Sequence, residues 1–190
     1  MNKRIVIGMS GASGAPLTLD LLRVLKNHEE WETHLVLTHG AERVLREEAD
    51  LSVSDIRRLA DVCYDPDDMG APIASGTFRA EGMIVVPCSM KSLAGIVSGY
   101  SDNLLLRAAD VTLKQRRKLV LAVRETPLSQ VHLRNMLDAS RLGASVIPPV
   151  MSFYSRPQTV EELIRHFTGK LLDEFGIETE DYHRWKENNP

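Results

Sequence analysis

The sequence predicts an α/β protein with a doubly wound parallel sheet, Rossmann-like or flavodoxin-like, that ends in a C-terminal helix and tail. Short apolar runs rich in Val and Ile alternate with longer amphipathic segments, and the first run leads into a glycine cluster. Polar residues follow the ends of several of these runs. Runs that are apolar throughout indicate parallel strands covered by helices on both faces. Their alternation with helices predicts right-handed crossovers.

The composition is typical of a single globular domain. The chain has 190 residues, 43% of them hydrophobic, and a net charge of -3 at pH 7. We expect one domain over residues 1–190, with no nucleic acid partner because the chain is not basic. No apolar run is as long as a membrane span and no signal peptide is evident. Cys63 and Cys88 have neither metal-ligand spacing nor a disulfide framework, so a cytoplasmic location is expected.

The first element is a strand over Arg4–Met9 that runs into a turn with three regularly spaced glycines: Gly8, Gly11 and Gly14. A helix is predicted next, over Leu17–Asn27. The glycine spacing differs from the dinucleotide fingerprint. A tight turn at a helix N-terminus nevertheless favours a phosphate, through free N–H groups and the helix dipole. We therefore expect a phosphate here, and Ser13 stays open as a helix cap, a phosphate ligand or a catalytic hydroxyl.

The later elements follow the same alternation. Four more strands are predicted: Thr33–Thr38, Met83–Cys88, Leu119–Arg124 and Ala144–Ile147. Five more helices are predicted between and after them: Gly40–Ala49, Ser54–Leu59, Ser89–Val97, Asn103–Gln115 and Ser129–Arg141. Residues 61–82 read as an irregular loop whose acidic residues lack Ca²⁺-loop spacing and indicate a solvated turn. Val160–Gly176 predicts an amphipathic helix, and the polar residues after it an extended tail.

Four predicted strands end in polar residues, and ligands of open α/β sheets bind beyond those ends. The ends read Ser10-Gly-Ala-Ser13, Thr38-His39, Cys88-Ser-Met-Lys-Ser92 and Arg124-Glu-Thr126. Thr38-His39 stands where an acidic residue would hold an adenosine ribose, which disfavours NAD and favours a single-phosphate ligand such as FMN. We expect His39 to be a surface or capping residue. We expect Cys88 to be a small hydrophobe beside the ligand.

The predicted helix Asn103–Gln115 carries two cations on one face, Arg107 and Lys114, spaced seven residues apart. One interpretation is a solvated basic face. The other is that, beside Arg124 and Glu125, these cations clamp an anion. The spacing alone leaves both open.

Five motifs resemble the flavin prenyltransferase family, the UbiX-like proteins once described as aromatic acid decarboxylase subunits. They are Gly8-Met-Ser-Gly-Ala-Ser-Gly14, Pro87-Cys-Ser-Met-Lys-Ser-Leu93, Arg107-Ala-Ala-Asp-Val-Thr-Leu-Lys114, Leu121-Ala-Val-Arg-Glu-Thr-Pro127 and Phe153-Tyr-Ser-Arg-Pro157. The resemblance runs nearly end to end. It implies a metal-independent enzyme that joins the dimethylallyl group of dimethylallyl monophosphate to N5 and then C6 of reduced FMN. It also implies a dodecamer with the site between subunits, and a product used by a UbiD-type decarboxylase.

Carried over to this chain, the resemblance implies roles for individual residues. Those that would bind FMN are Gly11, Ala12, Ser13, Thr38, Ser89, Met90, Lys91, Ser92 and Arg124. Ser13 and Glu48 would relay the proton lost on ring closure, and Glu125 would act as acid–base near the leaving phosphate. Physical chemistry agrees, since preorganised groups stabilise a developing phosphate charge and a dry site protects a reactive prenyl group from water.

The resemblance also implies a pocket for the substrate phosphate. Arg107 and Lys114 would hold the phosphate and keep the prenyl fragment near the flavin. Three residues would complete the pocket: Tyr154, Lys170 and Trp185. Lys170 stands where the family usually has Arg, which keeps the charge and loses the bidentate fork. Thr38 stands where Ser is usual and retains the hydroxyl.

Two other functions remain open from the sequence. One is an FMN-dependent decarboxylase of the cysteine-peptide or phosphopantothenoylcysteine type. Those proteins carry a Pro-x-Met-Asn motif where this chain has Pro87-Cys-Ser-Met90, and this difference disfavours the decarboxylase hypothesis. The other is a non-catalytic flavin-carrying subunit of a decarboxylase, because binding and catalytic residues overlap.

Overall fold

The computed structural model of the chain describes residues 2–49, 51–180 and 182–185. Its strands are β1 (Lys3–Met9), β2 (Trp31–Leu37), β3 (Val62–Tyr64), β4 (Gly82–Cys88), β5 (Lys118–Val123) and β6 (Ser145–Val146). They form one sheet in the order β3-β2-β1-β4-β5-β6, and every pair is parallel. This is the strand order of a Rossmann-like doubly wound sheet, so the predicted fold class is confirmed.

The helices are α1 (Ala15–Lys26), α2 (His39–Ala49), α3 (Val53–Arg57), α4 (Met90–Ser98), α5 (Leu104–Lys114), α6 (Gln130–Arg141) and α7 (Val160–Asp173). Each predicted helix is present and differs from its prediction only at the ends. Side-chain caps fix the first residue of several helices, because a polar side-chain oxygen accepts a hydrogen bond from one of the free N–H groups of the first turn. Asn103 caps α5 and Thr159 caps α7 in this way. No helix within the described residues is both long and apolar enough to cross a membrane.

The sheet is covered on both faces, as its continuous apolar strands predicted. Ile5 and Ile7 belong to a core shared with α1, α2 and α7, whereas Val6 belongs to a second core shared with α4, α5 and α6. Successive side chains of a strand point to opposite faces, so one apolar run contributes to both cores. Because both faces are covered, the open parts of the sheet are its strand ends.

The prediction of an irregular loop over residues 61–82 is wrong in part. The segment contains the edge strand β3 and a 3-10 turn at Pro72–Ala74. Asp61, just before β3, accepts hydrogen bonds from the N–H and the hydroxyl of Thr33 at 2.7 and 2.8 Å. A strand of three residues is too short to show a hydropathy period, which is why the sequence pattern did not reveal it.

The acidic stretch that follows β3 is a solvated turn, as predicted. The Asp65 carboxylate accepts the Asp67 N–H at 2.9 Å, and the Asp68 carboxylate accepts the Gly70 N–H at 3.1 Å. These are Asx-type turns that the side chains form with their own backbone. Of the tail predicted to be extended, residues 181 and 186–190 lie outside the described part of the chain.

Candidate active site

The carboxyl ends of β1 and β4 lie side by side where the strand order changes direction, and the loops that follow them diverge there. Ser10, directly after β1, donates its hydroxyl to the Pro87 carbonyl at 2.8 Å and accepts the Ser89 N–H at 2.7 Å. It is 1% exposed. Ser10 therefore joins the two strand ends and fixes the loops around the crevice.

A cavity of about 280 Å³ opens at this crevice. Its lining comes from the ends of β1, β2 and β4 and from the start of α5: Gly11, Thr38, His39, Gly40, Ser89, Lys91, Ser92, Asn103 and Leu106. Five of the predicted FMN-binding residues therefore lie around one space. At its edge the backbones of Gly11 and Gly40 nearly touch, since a Cβ on Gly11 would lie 3.0 Å from Gly40 Cα. Only glycine permits so close an approach.

The start of α4 supplies donors for an anion in this cavity. Ser89 caps the helix: its Oγ accepts the Ser92 N–H at 3.2 Å and lies 3.1 Å from the Ser92 hydroxyl. Helical geometry leaves the N–H groups of Met90 and Lys91 without acceptors inside the helix. The helix dipole adds partial positive charge at the same place. This end of α4 is therefore well suited to a phosphate.

The N-terminus of α1 differs from the sequence prediction. Its first donors, the N–H groups of Gly14 and Ala15, are bound at 2.8 and 2.9 Å by Oε2 of Glu48 from α2. A carboxylate of the chain itself thus holds the place predicted for a phosphate. The sequence could not show this, because Glu48 is 34 positions away from Gly14. The structure offers α4, and not α1, as the anion site of the crevice.

Glu48 also forms a pair with Ser13. Partial burial acts to raise the pKa of the Glu48 carboxyl, but hydrogen bonds from the Ser13 hydroxyl and from the N–H groups of Gly14 and Ala15, with the positive charge of Arg124, lower that pKa overall. The group is therefore ionised at neutral pH. An ionised carboxylate bonded to a hydroxyl can accept a proton through it, which is the geometry expected of the predicted relay.

Arg124 and Glu125 leave the end of β5 at the same edge of the sheet. The Arg124 N–H donates to the Cys88 carbonyl at 3.0 Å, which fixes the start of this loop beside β4. The Glu125 carboxylate accepts the N–H of Thr126 at 2.9 Å and is exposed. Both side chains project from a strand end next to the crevice, where the sequence placed them.

Cys88 is an inert buried thiol in the structure. It is 0% exposed, and burial raises its pKa to about 12. A thiol with so high a pKa carries almost no thiolate at neutral pH and is a poor nucleophile. This agrees with the prediction of a small hydrophobe at this position.

A second cavity, of about 320 Å³, lies beyond β6 at the same edge of the sheet. The segment after β6, α7 and the tail line it: Ile147, Pro148, Val150, Ser152, Tyr154, His166, Phe167, Lys170 and Tyr182. Trp185 packs edge-on against Tyr154 with ring centroids 5.3 Å apart. Lys170 Nζ lies 3.8 Å from the Asp173 carboxylate. The fold thus brings together the predicted phosphate residues Tyr154, Lys170 and Trp185.

The Tyr154 hydroxyl is fixed by two partners. It donates to the His183 carbonyl at 2.9 Å and lies 3.2 Å from Nε2 of His166. Partial burial, and to a smaller degree Tyr182, raise the pKa of Tyr154, and the nearby Lys170 opposes them. The phenol is therefore neutral and can donate a hydrogen bond to an anion.

The same chain does not bring Arg107 and Lys114 to these cavities. Arg107 donates to the Ala74 carbonyl at 3.1 Å and pairs with Asp110 at 2.6 Å. Lys114 ends α5 shortly before β5 begins and so lies at the amino ends of the strands. With strands of seven residues, that is about 20 Å from the carboxyl ends. Neither Arg107 nor Lys114 is among the residues that line these two cavities.

Several residues that line the two cavities were not predicted as site residues, among them His39, Asn103, Leu106 and His166. His39 was expected at the surface, and it is exposed there, with Nε2 3.0 Å from the Asp67 carboxylate. That contact raises the pKa of His39. Asn103 could have been recognised as a cap at the start of its helix. No sequence pattern marked His166 as a site residue, because its role depends on a contact with Tyr154, twelve residues earlier in the chain.

Comparison with known proteins agrees with this geometry. A model of the Flavoprotein family matches residues 1–171. The protein of Sedimentibacter hydroxybenzoicus named "Probable UbiX-like flavin prenyltransferase" is 51% identical over 183 residues, which is 96% of this chain and 97% of that protein. The chain belongs to the UbiX-like flavin prenyltransferase family. The resemblance that the five motifs carried is thereby confirmed.

Two solved structures of UbiX-like proteins are similar over nearly the whole chain. AnUbiX (PadA1), in complex with FMN and dimethylallyl pyrophosphate, is 50% identical with a TM-score of 0.95, covering 97% of this chain and 98% of its own. The dodecameric FMN-dependent UbiX-like decarboxylase of Escherichia coli O157:H7 is 48% identical with a TM-score of 0.94, covering 96% and 98%. The similarity to UbiX-like proteins disfavours the cysteine-peptide decarboxylase alternative.

Proposed function

We propose that this protein is a flavin prenyltransferase that transfers the dimethylallyl group of dimethylallyl monophosphate to reduced FMN. One observation carries the proposal. Two cavities open at the same edge of the sheet, one with phosphate donors at the start of α4 and one with Tyr154 and Lys170. The first cavity therefore has donors for the phosphate of FMN, and the second has donors for the phosphate of the smaller prenyl donor. A family member in complex with FMN and a prenyl pyrophosphate supports the pairing.

The crevice fits FMN in three respects. The close approach of Gly11 and Gly40 leaves no Cβ at its edge, the start of α4 favours a phosphate dianion, and Lys91 adds a positive charge. Ala12, Ser13 and Arg124 lie on the adjoining loops and complete the set proposed to hold the flavin. When bound in its reduced form, FMN supplies the nucleophilic N5 and C6 positions for the prenyl group.

Ser13 and Glu48 are proposed as the proton relay. Carbon–carbon bond formation on an aromatic ring must release one proton, so a base has to lie beside the ring. The ionised Glu48 carboxylate, reached through the Ser13 hydroxyl, can take that proton. The backbone hydrogen bonds from Gly14 and Ala15 hold the carboxylate in position during the transfer.

Tyr154, Lys170 and Trp185 are proposed to bind the phosphate of the prenyl donor. Breaking an allylic C–O bond leaves a phosphate whose negative charge grows, and a phenol and an ammonium placed in advance stabilise that charge. Glu125 serves as acid–base beside the leaving phosphate. The rings of Trp185 and Tyr154, which meet at 89°, shield the electron-poor prenyl group from water.

Arg107 and Lys114 are proposed to come from a neighbouring copy of the chain. Three exposed apolar side chains of α6, namely Val131, Leu133 and Leu137, offer a surface that other copies can cover. We propose a homo-oligomer, specifically a dodecamer as in the Escherichia coli relative, with each site between subunits.

The product is proposed to serve a UbiD-type decarboxylase that requires prenylated FMN. We propose that the protein acts in the cytoplasm and that one domain over residues 1–190 carries all these roles.

A non-catalytic flavin carrier is the remaining alternative. The test mixes purified protein, chemically reduced FMN and dimethylallyl monophosphate without oxygen and measures the flavin by mass spectrometry. A mass gain of one prenyl unit supports the enzyme, whereas bound but unchanged FMN supports the carrier. Repeating the reaction with the diphosphate identifies the preferred donor.

A further inference from the structure

His166 lies buried on α7 beside the Tyr154 hydroxyl. It is 7% exposed, and its ring lies between the rings of Tyr154 and Tyr182, with centroids 5.3 and 5.2 Å away. Nε2 of His166 lies 3.2 Å from the Tyr154 oxygen. Lys170 follows one helical turn later, on the same face of α7. His166 therefore touches one proposed phosphate ligand and is a helical neighbour of the other.

The hydrogen bonds around Tyr154 determine the tautomer of His166. Tyr154 has a single hydroxyl proton, and the His183 carbonyl accepts it at 2.9 Å. The contact with His166 is a hydrogen bond only if the imidazole donates, so Nε2 carries the ring proton. Burial, and then the nearby His183, lower the pKa of His166. The imidazole is therefore neutral at neutral pH, and its Nδ1 carries a lone pair.

That Nδ1 atom is buried and has no hydrogen-bond partner among the described residues. A buried polar atom without a partner is destabilising. A phenylalanine would fill the space between the two tyrosine rings without this penalty, so packing alone does not account for an imidazole here. What the imidazole adds is the Nε2–H group facing the phenol.

We propose that His166 is a positioning residue for the phosphate of the prenyl donor, because it donates to the Tyr154 oxygen and holds the phenol with its own proton directed outward. With the oxygen held by His166, the phenolic proton can turn from the His183 carbonyl to the phosphate without the ring moving. A hydroxyl that accepts one hydrogen bond is also a stronger donor of another. This inference rests on the proposed role of Tyr154 in binding the substrate phosphate.

The test measures binding of dimethylallyl monophosphate by calorimetry with oxidised FMN present, so that prenyl transfer does not intervene. His166→Phe removes the donor and keeps a ring of similar shape, whereas His166→Gln keeps an amide N–H near the position of Nε2. Loss of one hydrogen bond should weaken phosphate binding about tenfold in His166→Phe. His166→Gln should stay within about threefold of the wild type, and both should bind FMN as the wild type does.

A double-mutant cycle separates positioning from structure. If His166 acts through the phenol, His166→Phe should add little to the loss already caused by Tyr154→Phe. A full additional loss in the Tyr154→Phe background, or unchanged binding in His166→Phe alone, would overturn the proposal. Should His166→Phe not fold, His166→Gln is compared with His166→Asn, whose amide is too short to reach Tyr154. Equal affinities of these two variants would also overturn it.

The binding measurement keeps this proposal distinct from the proposed function. A wild type that binds dimethylallyl monophosphate but forms no prenylated flavin contradicts the enzymatic function and leaves the His166 comparison valid. If Tyr154→Phe binds dimethylallyl monophosphate as tightly as the wild type does, the His166 proposal itself is contradicted.

Discussion

Oε2 of Glu48 lies 2.8 Å from the backbone nitrogen of Gly14 and so caps the helix α1 from a different helix. This contact explains why a glycine turn before a helix, which usually indicates a phosphate site, does not present an open one here. The carboxylate stabilises α1 as a bound anion would. It also places a base beside the Ser13 hydroxyl.

Glu48→Gln should destabilise the protein at neutral pH. The pKa of Glu48 is lowered in the folded state, so the carboxylate stabilises the fold above its unfolded pKa, and this contribution is lost as the pH falls through the lower folded pKa. Because most of the Glu48 side chain is open to solvent, the effect should be below about 1 kcal/mol. Thermal unfolding should show a melting temperature difference from wild type at pH 7 that shrinks towards pH 3. The neighbouring Glu47→Gln is the control, and a difference that grows on acidification would contradict the interpretation.

Gly11→Ala should impair FMN binding. A Cβ at this position would lie 3.0 Å from backbone atoms of Gly40, which cannot turn aside as a flexible side chain does. The loops must then separate, at a cost of about 1–3 kcal/mol, and the cavity between them changes shape. Fluorescence titration with FMN should show at least a tenfold loss in affinity. Gly70→Ala, where a new Cβ meets only ordinary contact at 3.4 Å, should bind FMN normally; equal affinities for the two variants would count against the crevice as the flavin site.

Glu125→Gln should abolish turnover and spare FMN binding. The side chain lies on an exposed loop at the end of β5 and is proposed to act on the leaving phosphate. Loss of an acid–base group of this kind lowers kcat by about 10²- to 10⁴-fold. Anaerobic single-turnover assays measure the effect on turnover, and FMN titrations of the same variant measure the effect on cofactor binding. A variant that retains wild-type turnover would assign this carboxylate a different role, and Glu29→Gln, remote from the site, serves as the control.

The fold was largely predictable from the sequence, whereas the contacts within the site were not. Continuous apolar runs specify parallel strands, and the polar residues after them were expected at one edge, where Thr38, Ser89 and Lys91 now line one cavity. Contacts between distant segments leave no periodic signal. The Glu48 cap on α1 and the His166 contact with Tyr154 depend on how helices pack, which hydropathy does not encode.

Lys170→Arg should tighten binding of the prenyl donor. Lysine presents a single charged group near Asp173, whereas arginine offers two parallel N–H donors that match a phosphate. KM for dimethylallyl monophosphate should fall several-fold, and Lys170→Ala should raise it. Lys26→Arg, on the exposed end of α1, is the matched control. A KM that does not respond to either change at position 170 would remove this residue from the phosphate site.

Mixed oligomers should test whether Arg107 and Lys114 act at a neighbour's site. Lys114→Ala and Tyr154→Phe subunits should each be nearly inactive, but when they are co-expressed about a quarter of the sites should combine one intact residue from each chain. Activity should therefore recover to about that fraction. Co-expression of Lys114→Ala with Arg107→Ala is the control, because neither chain can then donate both cations. No recovery in the first mixture would contradict a shared site, and recovery in the control would contradict the supply of both cations by one neighbouring chain.

The most direct test is a crystal structure with FMN and dimethylallyl monophosphate bound. We expect the FMN phosphate at the start of α4, beside Ser89 and Lys91. We expect the second phosphate within hydrogen-bond distance of Tyr154 and Lys170, with the Glu48 carboxylate still bonded to the Gly14 N–H. A flavin phosphate at α1 with Glu48 displaced, or a prenyl donor bound away from Tyr154, would contradict both proposed phosphate sites.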